Sequence, residues 1–303
     1  MANQYKSYDT VGKKEDVSDI ISNITPTKTP FSSMIGSETV NNTLFEWQWD
    51  DLRDPASNAQ IEGFTAAPSA RTPTTKPSNY TQIMQDTFEV SGTLDAVSHY
   101  GRAKESAYQA AKAGKALKLD LESAYVGLDG TKSAGSASTA RTFDAFQAQV
   151  HSSMYTYTGS SSAPTETQYL DAIQVCYKEG SDPSITMVTP TNARTFAGFA
   201  TATGRVRDLS NSAKGEKALV NVVDIYVSPY GEQKIVLNRY QKSIDTLIFD
   251  PEMWSKVVLK GRNWFTEKLA KVGDKDAWMI VGEFSLKHKN PYASAVIRQS
   301  AAP

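Results

Sequence analysis

The chain of 303 residues holds a single cysteine, Cys176. No intrachain disulfide can form, and the residue reads as a small buried side chain on a helix. A catalytic thiol would need a histidine beside it, and nothing in the sequence places one there. Only three histidines occur, His99, His151 and His288, far apart and outside any HExxH or HxH pattern. They read as helix-surface or strand residues. A GxSxG elbow is missing too, so a Ser-His-Asp set would have to assemble in space, which a sequence leaves open. No apolar run approaches the roughly 20 residues that span a bilayer. The opening residues MANQYKSYDT lack the apolar stretch of a secretory signal. A soluble protein made in a reducing cytosol is expected, with no membrane partner, and the Asn-x-Thr sequons at Asn23, Asn41 and Asn79 carry no weight. Charge of one sign is also missing: 32 basic and 33 acidic residues leave a net charge of -1. That balance argues against a protein that coats nucleic acid, although contact on one local face is allowed.

Several partial motifs fall short of a site. Gly130 to Gly135 has the glycine spacing of a phosphate loop but no Lys-Ser/Thr after it, and it follows a helix; it reads as a flexible connector. Asp50, Asp51 and Asp54, or Asp274 and Asp276, could hold a cation, but neither run matches an EF-hand loop, and solvated turn carboxylates are preferred. Lys256, Lys260, Arg262, Lys268 and Lys271 alternate with Trp254, Trp264 and Phe265. This pattern fits a nucleic-acid face or, preferred here, a half-exposed sheet with lysines outward. No catalytic set, cofactor or metal ligand emerges.

What is present is architecture. From Thr93 to Leu128, Leu94, Val97, Gly101, Ala107, Tyr108, Ala111, Gly114, Leu117, Leu121, Ala124, Tyr125 and Leu128 recur at steps of three and four, with a slip near Lys104. That is one buried helix face. The other side carries Arg102, Lys104, Lys112, Lys115, Lys118, Asp120 and Glu122, and Lys118 can pair weakly with Glu122. Unbroken, the helix would be about 50 Å long, a brace for something extended.

Residues 1 to 43 read as a polar arm with a short helix at Glu15 to Ile24, too poor in apolar surface to fold alone. From Thr43 to Leu52, Phe45, Trp47 and Trp49 alternate with Glu46, Gln48 and Asp50, which is strand periodicity. Tyr80 to Ser91 is a second strand candidate. Between them lie Pro55, Pro68, Pro73 and Pro77, in a connector too long for a structureless loop inside a compact domain. The pattern predicts a two-stranded arm with an irregular tip, projecting from the body and resting on a partner, because two strands alone are marginal in water. Helices are predicted within Arg141 to Met154, from Thr165-Glu166 to Gly180, and over Asn192 to Ala202. A polar stretch at Arg205 to Lys217 separates them from the strands. Those are Ser184 to Thr189, Leu219 to Val227, Gln233 to Arg239, Leu247 to Phe249, Trp254 to Lys260, Asn263 to Leu269 and Ala277 to Lys289. In the last, Trp278, Ile280, Phe284 and Leu286 should face the core, with Glu283, Ser285, Lys287 and Lys289 outward. The order predicts an α+β fold.

The strings Glu15 to Ile21 (EDVSDII), Thr29-Pro30-Phe31 with Ile35-Gly36, Phe45-Glu46-Trp47, and Asn58 to Gly63 (NAQIEG) occur in that order. They are followed by Asn79 to Ile83 (NYTQI), Val90 to Thr93 (VSGT), Gly101-Arg102, Ile225 to Ser228 with Gly231, Leu269 to Asp274 (LAKVGD) and Gly282 to Leu286 (GEFSL). In this order the chain resembles the major capsid proteins of tailed bacteriophages with the Hong Kong 97-type fold, nearest a short-tailed-phage-like subgroup. The likeness covers nearly the whole chain and is weakest over about 131 to 215. The resemblance implies an N-terminal arm at 1–43, an extended β-hairpin loop at 44–91, and a spine helix opening a peripheral domain at 92–140. It further implies an axial domain at 141–240 and return strands of the peripheral domain at 241–303. It implies a structural, non-enzymatic subunit that self-assembles as hexamers and pentamers of an icosahedral shell in the host cytoplasm. The shell would enclose double-stranded DNA on its inner face, with portal and scaffolding proteins as partners and a cement protein as a further possible one. No cofactor is implied. A Lys–Asn cross-link known in some relatives has no motif here and is not expected. Phe31, Phe45, Trp47, Trp49, Arg53 and Lys76 are the interface candidates. The rival classes are a soluble hydrolase or carbohydrate-binding module, with aromatic strands as a ligand platform, and another virion part. The long proline-rich hairpin and isolated arm fit neither a hydrolase nor a sugar binder.

Overall fold

The computed structural model describes residues 25–53, 55–66, 68, 71–97, 104–127, 130–160, 162–202, 225–241 and 244–300. The helix predicted at Glu15 to Ile24, the stretch Arg205 to Lys217, Asp54, His99, Gly101 and Arg102 lie outside them. The elements in chain order are α1 (Pro30–Met34), β1 (Gly36–Val40), β2 (Leu44–Glu46), β3 (Ser78–Tyr80), β4 (Gln82–Ser91), α2 (Gly92–Ala96), α3 (Glu105–Tyr125), α4 (Phe146–Gln149) and β5 (Tyr155–Tyr157). There follow α5 (Glu166–Lys178), β6 (Ile185–Val188), α6 (Pro190–Ala202), β7 (Ile225–Ser228), β8 (Gly231–Leu237), β9 (Thr246–Phe249), β10 (Trp254–Leu259), β11 (Phe265–Lys268), β12 (Lys275–His288) and β13 (Ser294–Arg298). The fold is α+β. No described helix is long and apolar enough to cross a membrane.

The chain divides into two compact units. The larger, from residues 28–85, 117–265 and 281–300, contains a six-stranded mixed sheet in the order β5-β13-β9-β6-β8-β7. β5 and β8 run parallel to β13 and β6, and the remaining pairs are antiparallel. The apolar run of β6 is buried on both faces, as a central strand requires. α5 starts where Thr165 and Gln168 form a reciprocal capping box, and Gly180, at φ 79°, stands just past its end. Tyr169 of α5 donates or accepts a 2.8 Å bond with Thr186 and lies edge-on to Phe196 and Tyr226. Burial drives its phenol pKa up. Cys176, on the same helix, is buried and its thiol is pushed up to about 12 by desolvation, so it is an inert core residue.

A second core in this unit is aromatic. Phe31 is ringed by Tyr125, Phe146, Phe249 and Trp254 at centroid distances of 5.4–6.0 Å. Beside it β1 runs parallel to β10, and β10 antiparallel to the second half of β12. Residues 30–40 of the predicted arm therefore lie on their own subunit. Pro30 at the first helical position pre-sets the backbone, and the following strand pairs within the subunit.

The smaller unit, among the described residues, is built from 25–27, 86–97, 104–116 and 266–280. Here Phe88 stacks on Trp278 at 5.5 Å, and Lys275 pairs with Glu89 at 2.6 Å. The single long helix predicted from Thr93 to Leu128 is two helices. α2 ends at Ala96, with Val97 already extended, and α3 begins at Glu105 and is about 32 Å long from its 21 residues. Asp95 accepts bonds from the Ser106 backbone N–H (3.1 Å) and hydroxyl (3.0 Å). The Ser106 N–H holds the Asp95 carboxyl below its ordinary range. Apolar burial along α3 begins only at Ala113: Ala113, Leu117, Leu121 and Tyr125 are buried, whereas Ala107 and Ala111 of the predicted stripe are exposed.

Three further expectations are corrected. From Arg141 to Met154 only α4 and a short 3-10 turn are helical. β9, predicted as a closing strand, and β13, which the strand pattern does not mark, both fall in the 241–303 segment that the resemblance gives to the peripheral domain, yet they are interior strands of the middle sheet. β12 is buried on both faces from Ile280 to Leu286, Glu283 and Ser285 included, because polar groups of other segments satisfy its second face.

Candidate assembly site at the root of the extended loop

The hairpin exists but is short. Leu44, Phe45 and Glu46 pair antiparallel with Tyr80, Asn79 and Ser78. The pairing continues loosely through Trp47 N–H to Pro77 O (3.2 Å) and the reciprocal bonds of Trp49 and Thr75 (3.0 and 3.1 Å). Among the described residues of the tip, the only regular feature is a turn in which Phe64 N–H bonds Ile61 O, with Gly63 at φ 80°. That is a backbone region glycine reaches freely. β4 does not continue the hairpin; it pairs with β12.

The return strand is pinned where it meets the body. Thr81 N–H bonds Thr43 O at 2.9 Å, and the Thr81 hydroxyl donates to Glu283 at 2.6 Å. The Glu283 carboxylate, almost fully buried, is also held by Arg141 and, at 3.5 Å, by Arg262. Arg141 reaches the Thr81 carbonyl as well. One residue earlier, Ser285 donates to Tyr80 O at 2.7 Å. Asn79, fully buried, donates to Leu286 O at 2.8 Å and accepts from Asp144 N–H at 2.9 Å. A buried carboxylate is tolerable only with such a complete set of donors, so the root is rigid while the tip is not built on ladder bonds.

The predicted alternation of Phe45, Trp47 and Trp49 against outward Glu46, Gln48 and Asp50 is observed. However, the aromatic face turns onto its own subunit. Phe45 is buried and stacks with Trp47, Trp47 lies under the Lys287 ammonium, and Trp49 packs edge-on to Tyr292. Trp47, Trp49, Pro77, Lys132, Gln149 and His288 line a cleft of about 180 Å³. Phe31 and Phe45 thus have no surface left for a neighbour, which corrects their place among the interface candidates; Phe31 is the centre of an internal aromatic cluster. Lys76 is ion-paired with Glu46 across the stem, and Arg53 lies in the exposed irregular segment leading to the tip. The residues that the alternation missed are Leu52, Ile61 and Phe64, which are 91%, 81% and 56% exposed. They sit in the irregular tip, where no period marks them, and only their apolar character among Ala, Ser and Thr could have singled them out.

The scattered polar residues do not converge on a catalytic centre. His288 stacks flat on Trp254 at 3.9 Å, and its Nε2 bonds Ser294. Burial pushes its pKa down to about 3. His151 caps a turn through Ser153. Among the described residues no group of three His, Cys, Asp or Glu could hold a metal ion. Of the basic–aromatic run, Arg262 serves Glu283, while Lys268 and Lys271 face Asp276. The Gly130 to Gly135 segment is tied down, with Ala145 N–H on Gly130 O at 2.8 Å and Lys132 N–H on Asp144 at 2.6 Å. It is a fastened loop and not a loose connector.

The chain matches the family described as SU10 major capsid protein over residues 3–301. It is 31% identical to the major capsid protein of Escherichia phage Phieco32, across 98% of this chain and 97% of that one. Its fold is similar to the capsid protein of cyanophage A-1(L), with a TM-score of 0.70 at 11% identity over 98% and 99% of the two chains. It is also similar to the SrpI encapsulin of Synechococcus elongatus PCC 7942, with a TM-score of 0.62 at 10% identity over 96% and 93%. These likenesses place the fold in the Hong Kong 97 type.

Proposed function

The chain belongs to the SU10 major capsid protein family, and on that premise we propose how it builds a shell. It is a phage major capsid protein whose copies form the icosahedral head. In our reading they associate as hexamers and pentamers around the middle domain, centred on 141–240. The loop at 44–91 lies across an adjacent subunit, and the part of the 1–43 segment that precedes Pro30 braces another. The observation that carries this is the contrast within the loop: a root fastened by Glu283, Thr81 and Asn79, and a tip that leaves Leu52, Ile61 and Phe64 uncovered by their own chain. Apolar side chains so exposed gain about 25 cal/mol per Å² when a neighbour covers them, and many identical contacts add by multivalency. Trp47, Trp49, Arg53 and Lys76 act at the stem, where the neighbour's edge would lie. We assign the protein no enzymatic activity and no cofactor. Scaffolding and portal proteins are its proposed partners during assembly in the host cytoplasm, with double-stranded DNA packaged inside, and a cement protein is a further partner to be sought.

Expression alone or with a scaffolding protein should give shells or regular multimers by electron microscopy; a monomer that never assembles under any condition would refute the reading. Deleting residues 55–77 should leave a folded subunit that cannot form shells, and normal shells from that variant would refute the role given to the loop.

A further inference from the structure

Lys112, Lys115 and Lys118 are exposed on α3 at intervals of three residues. Each step rises about 4.5 Å along the axis, so their stems form one inclined row with neighbouring Cβ atoms about 5–6 Å apart. The helical period puts this row on the side away from Ala113, Leu117 and Leu121, which are buried.

What sets the row apart is that three unpaired lysines stand together on one exposed helix face. Lys76, Lys132, Lys268, Lys271, Lys275 and Lys287 each face a carboxylate. Among the described residues no carboxylate lies within ion-pair distance of Lys112, Lys115 or Lys118. The acids of α3 are directed elsewhere: Glu105 is buried and accepts from Gln109, and Glu122 is buried and bonded to Phe31 and Ser32. Asp120 is exposed but falls about 140° round the helix from Lys115, at 100° per residue. Lys104, one face-turn earlier, already offsets Asp95.

The floor between the lysines is low, since Ala111 and Ala116 are exposed there. None of the large apolar side chains that the described subunit exposes lies on α3. A protein partner would need an apolar centre to its interface, whereas a phosphate backbone needs only cations and close approach. Over the roughly 9 Å that the row covers, a duplex presents about five phosphate charges.

We propose that Lys112, Lys115 and Lys118 form a sequence-independent contact for the phosphate backbone of double-stranded DNA, a proposal that rests on the shell-subunit reading. The near-zero charge of the whole chain leaves no basic surface at large, so the packaged duplex is touched at repeated points and not gripped over the whole wall.

The test uses full-length unassembled protein titrated with a short random-sequence duplex between about 50 and 200 mM salt. Each phosphate contact contributes about −0.9 to the slope of log K against log salt. K112Q/K115Q/K118Q should make that slope shallower by about 2.7 and weaken binding at least tenfold at the low-salt end. The charge-matched control K234Q/K256Q/K260Q should keep the wild-type slope. An unchanged slope in the row variant, an equal loss in both variants, or no duplex binding by the wild type overturns the proposal. Binding of poly-glutamate through the same lysines, without duplex binding, would assign the row to an acidic protein instead. If the triple variant fails to fold, K115Q alone decides, with an expected loss of about 0.9 in slope. Electron microscopy separates the two readings: wild-type shells with unaltered duplex binding in the variant sink only the DNA contact, whereas the lack of wild-type shells sinks the subunit assignment.

Discussion

The Glu122 carboxylate of α3 accepts hydrogen bonds from the backbone N–H groups of Phe31 (2.7 Å) and Ser32 (2.8 Å) and caps a helix 90 residues away in sequence. The Asn238 amide donates to the same group at 2.7 Å. A carboxylate at the start of α1 satisfies donors that the helix itself cannot. Glu122→Ala should therefore destabilise the unassembled subunit by at least about 1–3 kcal/mol, the cost of leaving a buried donor without its partner. Glu122→Gln, which keeps one acceptor oxygen, should lose less. Chemical denaturation of both variants checks the order; equal losses would mean that cavity formation and not capping governs the site.

Thr81→Val keeps the shape of the side chain but removes the hydroxyl that donates to Glu283. One acceptor position of a buried carboxylate loses its partner, so a loss of about 1–3 kcal/mol is expected. Faster amide exchange should be confined to residues 79–81 and 283–285. Uniform acceleration over the whole sheet would contradict a local role for the root.

Ile61→Ala with Phe64→Ala removes exposed side chains of the tip. The melting temperature of the unassembled protein should barely move, because Ile61 and Phe64 are 81% and 56% exposed and neither belongs to the core. The concentration needed for shells to appear should rise more than tenfold, since burying each such side chain is worth about 1.5–3 kcal/mol. A lower melting temperature with unchanged assembly would reverse the assignment.

His288 sets an acid limit. Its pKa is about 3 in the fold against an ordinary 6.5, so between those values the unfolded chain binds the extra proton. Its contribution is complete above pH 6.5 and declines as pH falls towards 3, at up to about 1.4 kcal/mol per pH unit. His288→Gln should lower stability at pH 7 but flatten its pH dependence across that window, as measured by urea titration at several pH values. A slope equal to the wild type's would show that other groups carry it.

Periodicity made the regular parts legible. β6, β9, β10 and β12 were each predicted within two or three residues, since strands of Val, Ile, Met and Phe announce themselves. The capping box of α5 likewise marks its own start. The break before α3 was visible only as a slip near Lys104, because a phase change looks the same whether a helix bends or stops. Phe31 is an apolar residue in a polar stretch and Glu122 an acid on an amphipathic helix, and only tertiary contact shows that one is a core centre and the other the cap beside it. The root network was hidden for the same cause, since Asn79, Thr81, Arg141 and Glu283 come from three separate regions.

The placement of β13 has a consequence for synthesis. Its partner β5 pairs Tyr155 with Val296, and β9 flanks it on the other side. While the ribosome is still translating the second half, β5 has no neighbour and the middle sheet lacks an interior strand. Loop closure over that separation is slow, and an open strand edge invites pairing with other nascent chains. The middle sheet is therefore complete only once β13 has been made, and the time before that is when a nascent subunit is most exposed to wrong pairing.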